Sequence, residues 1–307
     1  MEWPDLCRPL HGSMQGAAIR WESLRYDSIW CDGERGRLTY PFRVRSSAAS
    51  RNLPKDHCMK LTILAVSDEV DQRIYSPSLR ERMSDVTIVI GCGDVPATYL
   101  EFLTDSLHKP VYYVLGNHAE ELTREGARGF PRLPEGCTNV SGTVVTDPLS
   151  GLIIAGLPGS PRYSEREPVQ YTEWQMWMMI VRMAPRLIWN RIRKGRALDL
   201  LVTHSPPRDI NDERDVAHRG FVAMRHFLQW FAPAYQLHGH IHVYDRSKSH
   251  ITRHLDTEVI NIYPYQKLDL AFSRLARHEE PAASIRYPDR VAGPSRERSE
   301  MEAKPRP

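Results

Sequence analysis

Five short apolar runs each end in a residue that can ligate a metal. Val66 is followed by Ser67-Asp68, Ile90 by Gly91-Cys92-Gly93-Asp94, and Leu115 by Gly116-Asn117-His118. Thr203 is followed by His204, and Leu237 by His238-Gly239-His240-Ile241-His242. Carboxylate, amide oxygen and imidazole together suit Mn, Fe, Zn or Ni. In α/β proteins, ligands gather at the carboxyl ends of strands. One such coincidence carries little weight, but five in chain order point to a metal centre. The interleaved glycines allow tight turns where backbone must approach the ions.

The order Asp, Gly-Asp, Gly-Asn-His, His, Gly-His-x-His resembles the calcineurin-like metallophosphoesterase family over roughly Lys60 to Ile262. The resemblance implies a sandwich of two sheets holding two divalent metal ions side by side. It implies that Asp94 bridges both ions, that Asn117, His204 and His240 complete one site, and that Asp68 and His242 serve the other. It further implies hydrolysis of a phosphate ester, with a phosphodiester favoured, by a metal-activated hydroxide, with His118 as proton donor to the leaving oxygen. Two such ions lower the pKa of a water between them and stabilise an in-line displacement.

The chain departs from the family's pattern twice. Where the first motif reads Asp-x-His, this sequence has Asp68-Glu69-Val70. Valine cannot ligate, so Asp71 is the favoured substitute, ahead of Glu69, and this site is expected to be the weaker of the two. After His118 the family usually carries an acid, and here Ala119 stands, with Glu120 one residue further on. These departures keep two alternatives open: a catalytically weakened binding module on the same fold, and a nuclease using the basic stretch Arg186–Arg196. Each residue also has an ordinary reading. Asp68 and Asp94 would cap helices, Asn117 would sit in a turn, and His204, His240 and His242 would be strand-end histidines. His238 reads as structural rather than ligating.

The elements that must position these groups are strands. Buried-strand runs occur at Lys60–Val66, Val86–Ile90, Val111–Leu115, Leu152–Ala155 and Leu198–Thr203, with shorter ones at Tyr235–Leu237 and Val259–Ile262. Continuous apolar runs without strict alternation indicate sheets covered on both faces. Helical stretches such as Ser78–Arg82 and Ala97–Ser106 lie between them. The expected fold is α/β, a two-sheet sandwich flanked by helices. Thr172–Arg196 reads as two helices, with Pro185 at a kink or at the start of the second, and with a Trp and Met stripe for packing and a basic end. In the turn Gly156–Tyr163, Arg162 is a candidate for contact with a substrate phosphate. Between His204 and the last motif, Asp212 and His218 are placed to shape access to the site.

Composition bounds the remainder. The 307 residues hold one large domain, and 41 Lys and Arg nearly balance 38 Asp and Glu, so nucleic acid is not the favoured partner. Five cysteines without a CxxC pair argue against both a disulfide framework and a thiolate zinc site. No apolar run reaches the ~20 residues of a membrane span, and no signal peptide is evident, so the expected location is cytoplasmic. Residues 1–58 read as a partly disordered extension with a strand-like patch at Leu38–Val44. Residues 59–275 read as the metallophosphoesterase domain and 276–307 as a disordered tail.

Overall fold

The computed structural model describes residues 58–119, 122, 133–164, 168–244 and 250–273. The expectations for residues 1–57, for Glu120 and for the tail from 276 lie outside these described residues.

The chain order is β1 (Cys58–Val66), α1 (Leu79–Arg82), β2 (Ile88–Gly91), α2 (Ala97–Leu107), β3 (Val111–Tyr113), β4 (Cys137–Asn139) and β5 (Val144–Thr146). It continues with β6 (Ile153–Leu157), β7 (Ser160–Pro161), β8 (Gln170–Tyr171), α3 (Glu173–Lys194), β9 (Leu200–Thr203) and α4 (Val222–Phe231). The last strands are β10 (Tyr235–His238), β11 (Ile251–His254), β12 (Thr257–Asn261) and β13 (Tyr265–Ser273). Two larger sheets form, in the orders β13-β1-β2-β3-β4 and β11-β12-β10-β9-β6-β5. Strands β1 to β4 run parallel to one another, as do β6, β9, β10 and β12. Their carboxyl ends therefore share one edge in each sheet.

Side-chain alternation gives each central strand two apolar faces. Leu61, Ile63 and Ala65 of β1, with Ile88 and Ile90 of β2, pack against Ile154, Leu200, Val202 and Leu237 of the other sheet. This shared core makes the pair a sandwich. The intervening Leu64, Val66 and Val89 point outward under α1 and α2. On the far side Ile153, Ala155, Leu157 and Leu201 lie under α3 and α4. Burial of each such side chain contributes roughly 1.5–3 kcal/mol, so the inter-sheet core and the two helix-covered faces together hold the sandwich. The architecture is the expected α/β sandwich flanked by helices.

Residues Thr172–Arg196 form one helix where the sequence suggested two. Thr172 caps it with a capping box to Gln175, and Gly195 ends it with a φ of 72°. Pro185 sits inside α3, where it has no N–H to donate to the preceding turn. The helix continues because its buried stripe does: Met176, Ile180, Met183, Leu187 and Asn190 recur every three or four residues on both sides of the proline. Strand β13 was also not anticipated. It pairs antiparallel with the whole of β1 and buries Leu270 and Phe272 between exposed residues.

Candidate functional site

The strand ends meet where the two sheets' carboxyl edges face each other. Asp68 follows β1, and its backbone N–H donates to the Gly93 carbonyl at 3.1 Å. Asp94 follows β2, and its Oδ1 accepts the His118 backbone N–H at 2.8 Å. The His240 N–H donates to both Asp68 oxygens, at 3.1 and 2.9 Å. Asp68, Asp94 and His240 all have positive φ, of 63°, 55° and 68°. Such backbone costs about 1–3 kcal/mol per residue and concentrates at functional sites. Glycine is required beside them. A Cβ on Gly116 would overlap the Asp94 carboxylate, and one on Gly239 would overlap Ser67 and Asp68.

His204 is the centre of the cluster and is fully buried. Its Nδ1 lies 2.9 Å from the Cys92 carbonyl oxygen. A carbonyl only accepts, so Nδ1 carries the hydrogen and Nε2 is left as the ligating nitrogen. Nε2 faces Asn117 Oδ1 at 2.8 Å and Asp94 Oδ2 at 3.1 Å. Once Nε2 gives up its proton, one nitrogen and two oxygens, all lone-pair bearing, converge. A proton on Nε2 can bridge to one oxygen, whereas a divalent cation satisfies all three. Ligand atoms of Asp68, Asp94 and His204 all lie within 4.8 Å of one another. The donor set therefore fits a metal ion.

The His240 ring lies 4.8 Å from that of His204. Its Nε2 donates to the Ala217 carbonyl at 2.8 Å, which leaves Nδ1 as its ligating atom by the same reasoning. His242 Nε2 approaches Asp68 at 3.7 Å, its Nδ1 lies 3.2 Å from the Tyr244 hydroxyl, and its ring stacks on Tyr263.

The charges reinforce one another. Burial would depress the His204 imidazole, but Asp94 and then Asp68 raise it to about 9. Burial opposes ionisation of Asp68 and Asp94, yet His242 and His204 hold the first, and His204 the second, below the usual carboxylate range. His240 is pushed down by burial and by His204. With both carboxylates ionised the cluster keeps a proton on His204 at neutral pH, and a divalent cation bound between these groups would displace it.

Asp68, Asp94, Asn117, His204, His240 and His242 are thus brought together. His118 reaches the cluster through its backbone and carries an exposed side chain. Val70 instead packs among apolar residues beneath α1 and α2. Asp71, the substitute considered for the missing ligand, pairs with Arg73, whose Nη2 meets its carboxylate at 2.5 Å and whose backbone N–H adds a bond at 2.8 Å. Glu69 accepts from the Tyr263 hydroxyl at 2.8 Å. The Arg162 guanidinium reaches the Gln170 carbonyl in β8 and the Gln175 side chain in the first turn of α3. Its neighbour Tyr163 is the one that touches the site, with its hydroxyl 3.1 Å from Asn117 Nδ2. His238, buried beside the cluster, is bonded at both ring nitrogens, to Gly239 and Asn211. Asp212 accepts the Gly220 N–H, and the His218 ring lies 5.3 Å from that of His240.

Sequence reasoning missed Tyr163, Tyr263, Tyr244 and the Cys92 carbonyl. Tyr163 stood one residue from a candidate in a turn already singled out. Backbone carbonyls leave no trace in sequence.

A family model described as calcineurin-like phosphoesterase matches residues 62–244, more than half of the chain. No curated protein matches it. One crystal structure is similar at 13% identity and a TM-score of 0.48, covering 71% of this chain and all of its own. The crystal structure of TT1561 of Thermus thermophilus is similar at 16% identity and a TM-score of 0.43, covering 66% of this chain and 89% of its own.

Proposed function

The chain belongs to the calcineurin-like phosphoesterase family, and from that premise we propose that it hydrolyses phosphate esters, phosphodiesters in preference, in a metal-dependent reaction carried by residues 59–275. The observation that supports this reading is the convergence of His204 Nε2, Asn117 Oδ1 and Asp94 Oδ2, a set that calls for a cation. Asp94, Asn117, His204 and His240 would hold one ion, with Asp68 and His242 contributing to a second, weaker position beside Val70. Divalent ions bound there supply Lewis-acid polarisation of phosphoryl oxygen and a lowered water pKa.

The chain's own residues do the rest. Cys92 and Ala217 fix the tautomers of His204 and His240 through their carbonyls. Tyr163 holds the Asn117 amide. The His118 N–H orients Asp94, and the exposed His118 imidazole would pass a proton to the leaving oxygen, a general-acid role worth about 10²–10⁴ in rate. Manganese is the ion to try first, since the set mixes carboxylate, amide and imidazole.

The test is the metal content of the purified chain together with hydrolysis of bis-p-nitrophenyl phosphate in added Mn, for the intact protein, Asp94→Asn and His118→Ala. Turnover is expected in the intact chain, with loss of both metal and turnover in Asp94→Asn. His118→Ala should keep its metal and slow about a hundredfold or more. Metal content and rate untouched by Asp94→Asn would sink the reading.

A further inference from the structure

Helix α3 is apolar on two opposite faces. One is the buried stripe of Met176, Ile180, Met183 and Leu187. The other comprises Trp174, Met178, Val181, Pro185, Ile188 and Ile192, spaced four, three, four, three and four residues apart. At 3.6 residues per turn these six fall within an arc of about 80°, opposite the buried stripe. Met178 is half-buried and the other five are exposed: Trp174 and Ile192 are each 71% exposed, Val181 55% and Ile188 52%. Trp189, at 51%, borders the arc, and Trp230 of α4, 49% exposed, lies against Trp177. Soluble proteins seldom expose a continuous apolar band of this kind without a partner for it.

Charge selects the partner. Helix α3 carries Arg182, Arg186, Arg191, Arg193 and Lys194 against a single acid, Glu173. That acid is committed elsewhere, accepting the first two backbone N–H groups of α4 at 2.8 and 3.2 Å. Arg182 and Arg186 are exposed along one flank of the apolar arc, with no ion pair among the described residues. Antiparallel pairing of two copies about this seam would set arginine flank against arginine flank, which is unfavourable. An anionic surface meets no such repulsion. Tryptophan and arginine beside aliphatic residues are the composition of helices that lie in the headgroup region of a bilayer.

We propose that the exposed face of α3 docks the protein on an anionic lipid surface. Trp174, Val181, Ile188 and Ile192 enter the headgroup boundary, and Arg182 and Arg186 pair with lipid phosphates and carboxylates. Attachment through this face is lateral, along the helix axis, and reversible.

The experiment is sedimentation of the full chain with vesicles of phosphatidylcholine alone and of phosphatidylcholine mixed with phosphatidylserine, at low and high salt. Binding is expected on the mixed vesicles only, weakening with salt. Arg182→Gln with Arg186→Gln should weaken it on the order of thirtyfold, at about one charge's attraction each. Ile188→Ser with Ile192→Ser, on exposed positions that leave the fold intact, should weaken it about tenfold or more. Equal partition onto both vesicle types, absence from both, or binding unaffected by either pair would overturn the proposal. So would a dimer of the intact chain that Ile188→Ser with Ile192→Ser dissolves, since that assigns the face to a second copy.

Discussion

The imidazole of His242 lies flat against the ring of Tyr263, with centroids 4.3 Å apart and planes 14° from parallel. The Tyr263 hydroxyl in turn donates to Glu69 at 2.8 Å. Glu69 stands between Asp68 and Val70, where the family's first motif would continue to histidine. The last motif is thus braced on the first through an aromatic ring, at the point where an imidazole is missing. Stacking and hydrogen bonding outside a metal's ligands fix the orientation of the ligands themselves.

Tyr263→Leu removes the stack and the bond to Glu69, whereas Tyr263→Phe removes only the bond. The expected result is a weaker second metal position in Tyr263→Leu, by about 10–100-fold in apparent affinity, with Tyr263→Phe intermediate. Calorimetric titration with Mn reads this directly, independently of substrate. Equal affinities in all three proteins would mean that the stack merely fills space.

The strand runs were legible because both faces of each central strand are apolar, as at Leu61–Val66 and Ile88–Ile90. The ligand order was legible because each group immediately follows such a run. Strand β13 escaped notice although Leu268, Leu270 and Phe272 alternate along it, because polar Gln266, Lys267 and Asp269 interrupt the run. Its pairing along all of β1 spans about two hundred residues of sequence, which no local pattern encodes. Pro185 suggested a helix boundary, and the stripe from Met176 to Leu187 overrode it. Asp71 qualifies as a ligand by residue type, and its pairing with Arg73, two residues on, is a contact that residue type does not reveal. Tyr163 and Tyr263 were unreadable as site residues because their roles come from packing.

Away from the site, the Tyr112 hydroxyl donates to Asp147 at 2.7 Å in the core. Burial opposes the Asp147 charge, but Ser150 and then Tyr112 hold its carboxyl below 3.8. A depressed carboxylate stabilises the fold above its unfolded value and loses that contribution as pH falls through its folded value. Tyr112 works at the other end: burial, and then Asp147, raise its phenol above 10.0. Its contribution is whole below that value and fades as pH climbs through the folded one. Asp147→Asn should therefore flatten both limbs of a plot of urea midpoint against pH. At neutral pH it should cost about 1 kcal/mol for the altered hydrogen bonds. The acid slope that remains belongs to Asp68, Asp85, Asp94 and Asp215, which are also depressed. Profiles that superimpose after a vertical shift would show that the pair does not titrate with folding.

Pro185 is an exposed interior residue of α3, and it works against the helix that contains it. It supplies no N–H to the Val181 carbonyl, and its ring crowds that carbonyl. In a helix interior alanine is favoured over proline by about 3 kcal/mol, less whatever the proline gains by restricting the unfolded chain. Pro185→Ala is therefore expected to stabilise the protein by about 1–2 kcal/mol. At roughly 2–4 °C per kcal/mol for a domain of this size, Tm should rise by several degrees. The buried stripe on the opposite face is untouched by the change, so packing against α4 and the second sheet should be retained. Differential scanning calorimetry of the two proteins decides the matter. A Tm that stays level or falls would mean that α3 depends on the fixed φ of Pro185 to follow the curvature of the sheet beneath it.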